Sequence, residues 1–134
     1  MAAKGNPGSG RRVVDHRTRV GRERRARTQS RILAAALRVY AEQGPDAPVI
    51  DDFIRAAGVA RGTFYNYFKS TGELFEATAK WLEEDMIVSI ETGIGSTKDP
   101  LERLTNGVRL WLLRASSDAA WCSFVVRNRR RSPL

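Results

Sequence analysis

Cysteine is almost missing from this chain. The single Cys122 has no partner for an internal disulfide and cannot form a cysteine metal site. A reducing compartment fits that usage, and the cytoplasm is the expected location. Histidine is equally scarce. His16 stands alone in a polar stretch, so neither a histidine-bound metal nor a Cys–His nucleophile pair has anything to build on. No apolar run approaches a membrane span. The Gly-, Pro- and Arg-rich start lacks the apolar core of a secretory signal. No strand-type alternation, no internal repeat and no phosphate-binding glycine loop is present. The acid pairs Asp51/Asp52 and Glu83/Glu84 fall at helix starts or on helix faces and read as solvated charge. A small helical enzyme would have to rely on Cys122 or on these acids, and neither has the partners that catalysis needs. No enzyme activity and no cofactor is expected.

What is present in quantity is positive charge, unevenly placed. The formal net charge is +8. Residues 1–27 hold nine Lys/Arg against Asp15 and Glu23, and residues 127–134 add four arginines. The stretch between them is mildly acidic, with thirteen acidic and ten basic side chains. A basic arm beside a folded domain points to a polyanion, most often nucleic acid. Residues 1–21 have no apolar periodicity and are punctuated by Gly, Pro and Ser, so residues 1–27 are expected to be a disordered basic arm.

The remainder reads as helices, and the fold class is all-α. A first helix is expected from Thr28, as its N-cap, to Gln43, with an apolar stripe of Ile32, Leu33, Ala36, Leu37, Val39 and Tyr40. Gly44 and Pro45 stop it. A second runs from Ile50 to Ala57 and ends at Gly58. A third runs from Arg61 to Phe68, with Phe64 and Phe68 facing inward. Ser70 opens a long fourth helix, to about Glu91, with the S-x-x-E spacing of a capping box; its inner stripe includes Leu74, Thr78, Trp81, Leu82 and Met86. Asp99 and Pro100 open a fifth helix whose stripe is Leu101, Leu104, Val108, Trp111, Leu112 and Ala115. A sixth spans Asp118 to about Arg127, with Trp121, Phe124 and Val125 on its apolar side and Cys122 expected as an inert buried thiol.

Two short helices joined by a glycine turn and packed on a longer one make a helix-turn-helix. In that arrangement the second short helix enters the major groove. The outward residues of the third helix suit the task. Arg61 can reach a guanine edge or a phosphate, Thr63 a base or thymine methyl, and Asn66 an adenine. Tyr65 and Tyr67 place hydroxyls at the ends of rigid rings, where phosphate oxygens lie, and Gly62 allows close backbone approach.

The run from Arg31 to Phe75, with RILAAALRVYAEQG and then DDFIRAAGVARGTFYNYFKSTGELF, resembles the N-terminal domain of TetR-type transcriptional regulators. The resemblance implies a three-helix helix-turn-helix DNA-binding domain, taken as residues 28–75. The resemblance also implies that a helical ligand-binding and dimerisation domain follows, incomplete over residues 76–134. It implies base-facing roles for Arg61, Thr63 and Asn66. It also implies phosphate-facing roles for Tyr65, Tyr67 and the start of the fourth helix at Thr71. The implied protein is a repressor that binds a palindromic double-stranded operator as a homodimer and is released by a small effector. Three departures weaken the implied grip on the DNA backbone: Thr71 replaces a usual Lys, Ala60 a usual Ser or Thr, and Val49 a usual Thr. Arg24, Arg25 and Arg27 are the expected compensation, since each phosphate neutralised releases counterions. Family chains usually continue for several more helices, so the arginine-rich RNRRRSPL reads as a truncated or frame-shifted end. The alternative expectation is a truncated variant that binds DNA weakly or without sequence preference. Trp81, Met86, Trp111, Trp121 and Phe124 are the expected lining of a pocket for an apolar or aromatic molecule.

Overall fold

Six helices and no strand make up the described residues of the computed structural model, which describes the backbone of residues 9–128 and the side chains of residues 16–127. In order they are α1 (Ser9–Gln43), α2 (Ile50–Ala57), α3 (Arg61–Tyr65), α4 (Thr71–Ile94), α5 (Pro100–Ser117) and α6 (Ala119–Asn128). The chain divides into two compact units, residues 1–31 and 32–134.

The first unit holds the N-terminal part of α1. This corrects the expectation of a disordered arm over residues 1–27, because the chain is helical from Ser9 onward; residues 1–8 lie outside the described part. Extending an existing helix adds a backbone hydrogen bond per residue fixed, whereas starting one does not. Arginine and alanine are good helix formers, and Arg19 and Glu23 pair at 3.9 Å one turn apart. Thr28 is not an N-cap. Its hydroxyl donates to the Arg24 carbonyl at 3.1 Å, so the helix passes straight through it.

The second unit is built on the C-terminal part of α1. Ile32, Leu33, Ala36, Leu37 and Tyr40 lie buried on one stripe, joined by Ala35 and Val39, so the apolar face is wide. Gly44 ends the helix at φ 86°, where its amide donates to the Tyr40 carbonyl. Phe53 and Ala57 of α2, Phe64 of α3, and Phe68 after it complete the first half of the core. In α4, Leu74, Thr78, Leu82 and Met86 recur every fourth residue and are all buried. Thr78 places its hydroxyl on the Leu74 carbonyl at 2.7 Å, which satisfies the polar atom inside the core. The sequence boundary at 75/76 falls inside α4.

Tyr40 is the point where these elements meet. Its ring lies 4.9 Å from Phe53, 5.1 Å from Phe75 and 5.8 Å from Phe124 of α6, centroid to centroid. Its hydroxyl donates to the carbonyl of Thr71, in the first turn of α4, at 2.9 Å. The helix starts behave as their sequences imply. Ser70 accepts from the Glu73 amide at 3.1 Å, and Asp99 accepts from the Leu101 amide with Pro100 next to it. The Glu73 carboxylate reaches one residue further back than a capping box requires, to the amide of Lys69.

Helix α5 departs from expectation. Its apolar stripe is largely uncovered: Leu101 is 70% and Leu104 65% exposed, and Val108, Trp111 and Leu112 are exposed too. The helix turns a different face to α4. Gly107 sits opposite Ile90, Leu110 fills the space beside Gly93, and Arg114 pairs with Asp85 at 3.0 Å. A side chain on Gly93 would collide with Leu110, so glycine permits this close approach. Small residues on the contact face thus outweigh the bulk of the stripe. Cys122 is half-buried rather than fully enclosed. No described helix is long and apolar enough to cross a membrane.

Replacing Tyr40 by Phe keeps the ring and removes the bond to Thr71. It is expected to cost about 1 kcal/mol, read as a lower urea midpoint at unchanged slope. Phe124→Ala empties the same cluster from the α6 side and is expected to cost about 3 kcal/mol. A Tyr40→Phe variant as stable as the parent would show that the hydroxyl carries no load.

Candidate nucleic-acid interface

The turn between α2 and α3 opens with two backbone bonds. Gly58 lies in the left-handed region at φ 61° and ψ 40°. Its amide donates to the Arg55 carbonyl and the amide of Val59 to the Ile54 carbonyl, the two bonds of a Schellman ending. Val59 then folds back, half-buried, against the core. At the other end of α2 the carboxylate of Asp52 accepts the Val49 amide at 2.9 Å. Val49 supplies no side-chain cap, and Asp52 answers part of that loss from inside the first turn.

Helix α3 is shorter than the Arg61–Phe68 expected. It ends at Tyr65, after which the Asn66 amide is shared between the carbonyls of Gly62 and Thr63 at 3.3 and 3.2 Å. The tightened turn still carries Phe68 into the core, 6.1 Å from Phe64. As the sequence implies, Ala60 caps nothing with its side chain. The two phenylalanines therefore hold the segment down from beneath.

What this leaves facing outward can be stated residue by residue. Arg61, Gly62, Tyr65 and Asn66 are exposed, while Thr63, Tyr67 and Thr71 are half-buried. Tyr65 stands edge-on to Phe64 at 5.8 Å. Arg61 pairs with Asp51 of α2 at 2.6 Å. That contact joins residues ten apart across a glycine turn, and no helical spacing announces it. Lys69 is another exposed side chain that the sequence reading passed over, between α3 and α4 and two residues before Thr71. Thr71 itself is committed through its carbonyl to Tyr40. Arg24, Arg25 and Arg27 are exposed in the first unit.

The expected pocket residues fall into two groups. Met86, Trp111, Trp121 and Phe124 line one open cleft of about 450 Å³ between α4, α5 and α6, together with Leu82, Glu83, Ile87 and Ile90. Trp81 is not on that surface and packs half-buried against the core. The rings of Trp111 and Trp121 meet edge to face at 5.5 Å. Among the described residues no group of three or more His, Cys, Asp or Glu is placed to hold a metal.

Residues 32–78 match the family model of the bacterial regulatory proteins of the tetR family. These residues are a TetR-type N-terminal domain. It contains Tyr40, Phe53 and Phe75 of the aromatic cluster, the Gly58 turn, all of α3 and the first turns of α4. Over 64 residues the chain is 42% identical to the HTH-type transcriptional regulator CymR of Pseudomonas putida, covering 48% of this chain and 32% of that one. Over 48 residues it is 40% identical to the HTH-type transcriptional regulator AcrR of Shigella flexneri, covering 36% of this chain and 22% of that one. A TetR-family regulator structure from Syntrophomonas wolfei superposes with a TM-score of 0.67 at 25% identity, over 80% of this chain and 55% of that one. The chain thus spans about half the length of that structure and about a third or less of these two relatives.

Gly58→Ala isolates the cost of the turn. No heavy atom lies within 4 Å of the added Cβ, so only the left-handed backbone opposes it. The expected loss is about 1–2 kcal/mol, measured by urea unfolding. A variant of parental stability would show that the turn tolerates a side chain.

Proposed function

We propose that this protein is a sequence-specific, DNA-binding transcriptional regulator. In this reading it acts as a repressor on a palindromic operator in the cytoplasm. The observation that carries it is the polar surface of α3. Arg61, Thr63 and Tyr65 of the helix, with Asn66 just after it, lie over Phe64 and Phe68, which anchor a segment that matches a family of regulators. A helix after a tight turn is the shape that enters the major groove. Asn66 is assigned to an adenine edge and Thr63 to a neighbouring base. Tyr65 and Tyr67 are assigned to phosphates, as are the amide end of α4 at Thr71 and the ammonium of Lys69. Lys69 supplies a charge that Thr71 lacks. Arg61 reaches DNA only by giving up or sharing Asp51, so the pair sets the cost of that contact.

Two copies would place their recognition helices one DNA turn apart, roughly 34–36 Å, on a two-fold site. Arg24, Arg25 and Arg27 would add charge against the backbone. A small apolar or aromatic effector in the cleft between α4, α5 and α6 would alter that spacing and release the DNA. Phe124 supports the link, because it lines the cleft and packs on Tyr40, which is bonded to the start of α4.

The test is selection from a random duplex pool followed by fluorescence anisotropy on the selected site. Asn66→Ala is expected to weaken the selected site by about tenfold, within the 1–3 kcal/mol of one base contact, and to leave random duplex unchanged. Lys69→Ala is expected to weaken every duplex alike and to reduce the salt slope by about one. Asp51→Asn is expected to strengthen binding to all duplexes a few-fold by freeing Arg61 and removing a carboxylate. Equal affinity for every duplex, with no sequence enriched, would sink the proposal. Sedimentation with the selected site reads the protein-to-duplex ratio, two to one for the dimer.

A further inference from the structure

The cleft between α4, α5 and α6 is apolar except at one place. Leu82, Met86, Ile90 and the two tryptophans form its walls, and Glu83 is the one charged side chain among its lining residues. Glu83 is exposed and no ion pair engages it among the described residues, whereas its neighbour Glu84 pairs with Lys80 at 3.9 Å. We propose that the cleft takes a lipophilic organic cation, with Glu83 as its counter-charge. The inference rests on the reading of this cleft as an effector site and adds the charge of the ligand.

Three observations carry it. The first is desolvation. An uncharged apolar molecule seated across the cleft would strip water from the Glu83 carboxylate and return nothing, which is costly. An anion would add repulsion, and a cation replaces the lost hydration directly. The second is the surrounding charge. The chain as a whole is at +8, yet α4 carries six acidic side chains against Lys80 alone. The third is the aromatic wall. The Arg114 guanidinium already lies 5.9 Å from the ring of Trp121, which is 3% exposed, so this ring holds a cation of the chain's own. Arg114 is itself held by Asp85 at 3.0 Å and Asp118 at 3.4 Å, so it presents no uncompensated positive charge to a second cation. Trp111, set edge to face with Trp121 and exposed, offers a further ring. At about 450 Å³ the space lies within the range that holds drug-sized molecules.

The experiment compares two probes of nearly the same shape, methyltriphenylphosphonium and neutral triphenylphosphine oxide. Each is titrated into the full chain while tryptophan fluorescence is followed, because Trp111 and Trp121 line the cleft. The expected result is that the cation binds about fivefold tighter than the neutral probe. Glu83→Gln, a change at an exposed position that preserves shape, removes that preference, and Glu84→Gln retains it. Equal affinity for the two probes, or a preference that survives Glu83→Gln, overturns the charge assignment and leaves the effector cleft standing. Binding of neither probe overturns both.

Discussion

One hydrogen bond inside an aromatic cage organises the second unit. The Tyr40 hydroxyl donates to the Thr71 carbonyl while its ring is held by Phe53, Phe75 and Phe124. Four helices contribute to this one contact. The carbonyl in question belongs to the first turn of α4, and Ser70 beside it caps the same helix. The direction in which α4 starts is therefore fixed by α1, and so is the short connection from α3. Aromatic pairs at these separations add to area burial, and the buried hydroxyl has its partner. Geometry and satisfaction of polar atoms point to the same arrangement.

The proposed recognition surface inherits its position from that cage. Helix α3 has only five residues and cannot be stable alone. It exists because Phe64 and Phe68 are buried and because the Gly58 turn returns the chain at a fixed angle. The polar residues above then have no choice of side. Their chemistry is modified by α2, since Asp51 already holds Arg61 and Asp52 already serves the Val49 amide. In the proposed role, a guanidinium beside a carboxylate would favour discrimination over raw attraction.

Phe124 connects the two halves of this unit. It sits on Tyr40 and Phe75 from one side and forms part of the cleft wall on the other. Anything that moves α6 is felt at the ring that anchors α4. The charge layout follows the same division: basic side chains before residue 28, acidic ones along α4, and a clasp of Asp85, Arg114 and Asp118 where α4, α5 and the start of α6 meet.

Much of this was legible in the residues. The spacing of Leu74, Thr78, Leu82 and Met86 announces a helix and its buried side, and Gly58 announces the turn because few other residues tolerate its backbone. Phe64 and Phe68 were separated from Tyr65 and Asn66 by helical period alone. Those signals are local, and local periodicity and backbone sterics act within a few residues. Three features were not legible, because each depends on what an element meets rather than on the element. The arm before Thr28 is helical by extension from a packed helix. The stripe of Leu101, Leu104, Val108 and Leu112 is turned outward because Gly93 and Gly107 allow α5 to approach α4 on another face. Arg61 finds Asp51, Trp81 stays off the cleft, and Glu83 lies on it, all through contacts between helices. The sequence by itself determined that helices follow residue 28 and which side of α3 is polar, since both follow from neighbours in the chain. Only the tertiary structure decided which charges pair and which apolar faces are covered, since those follow from distances that helix packing sets.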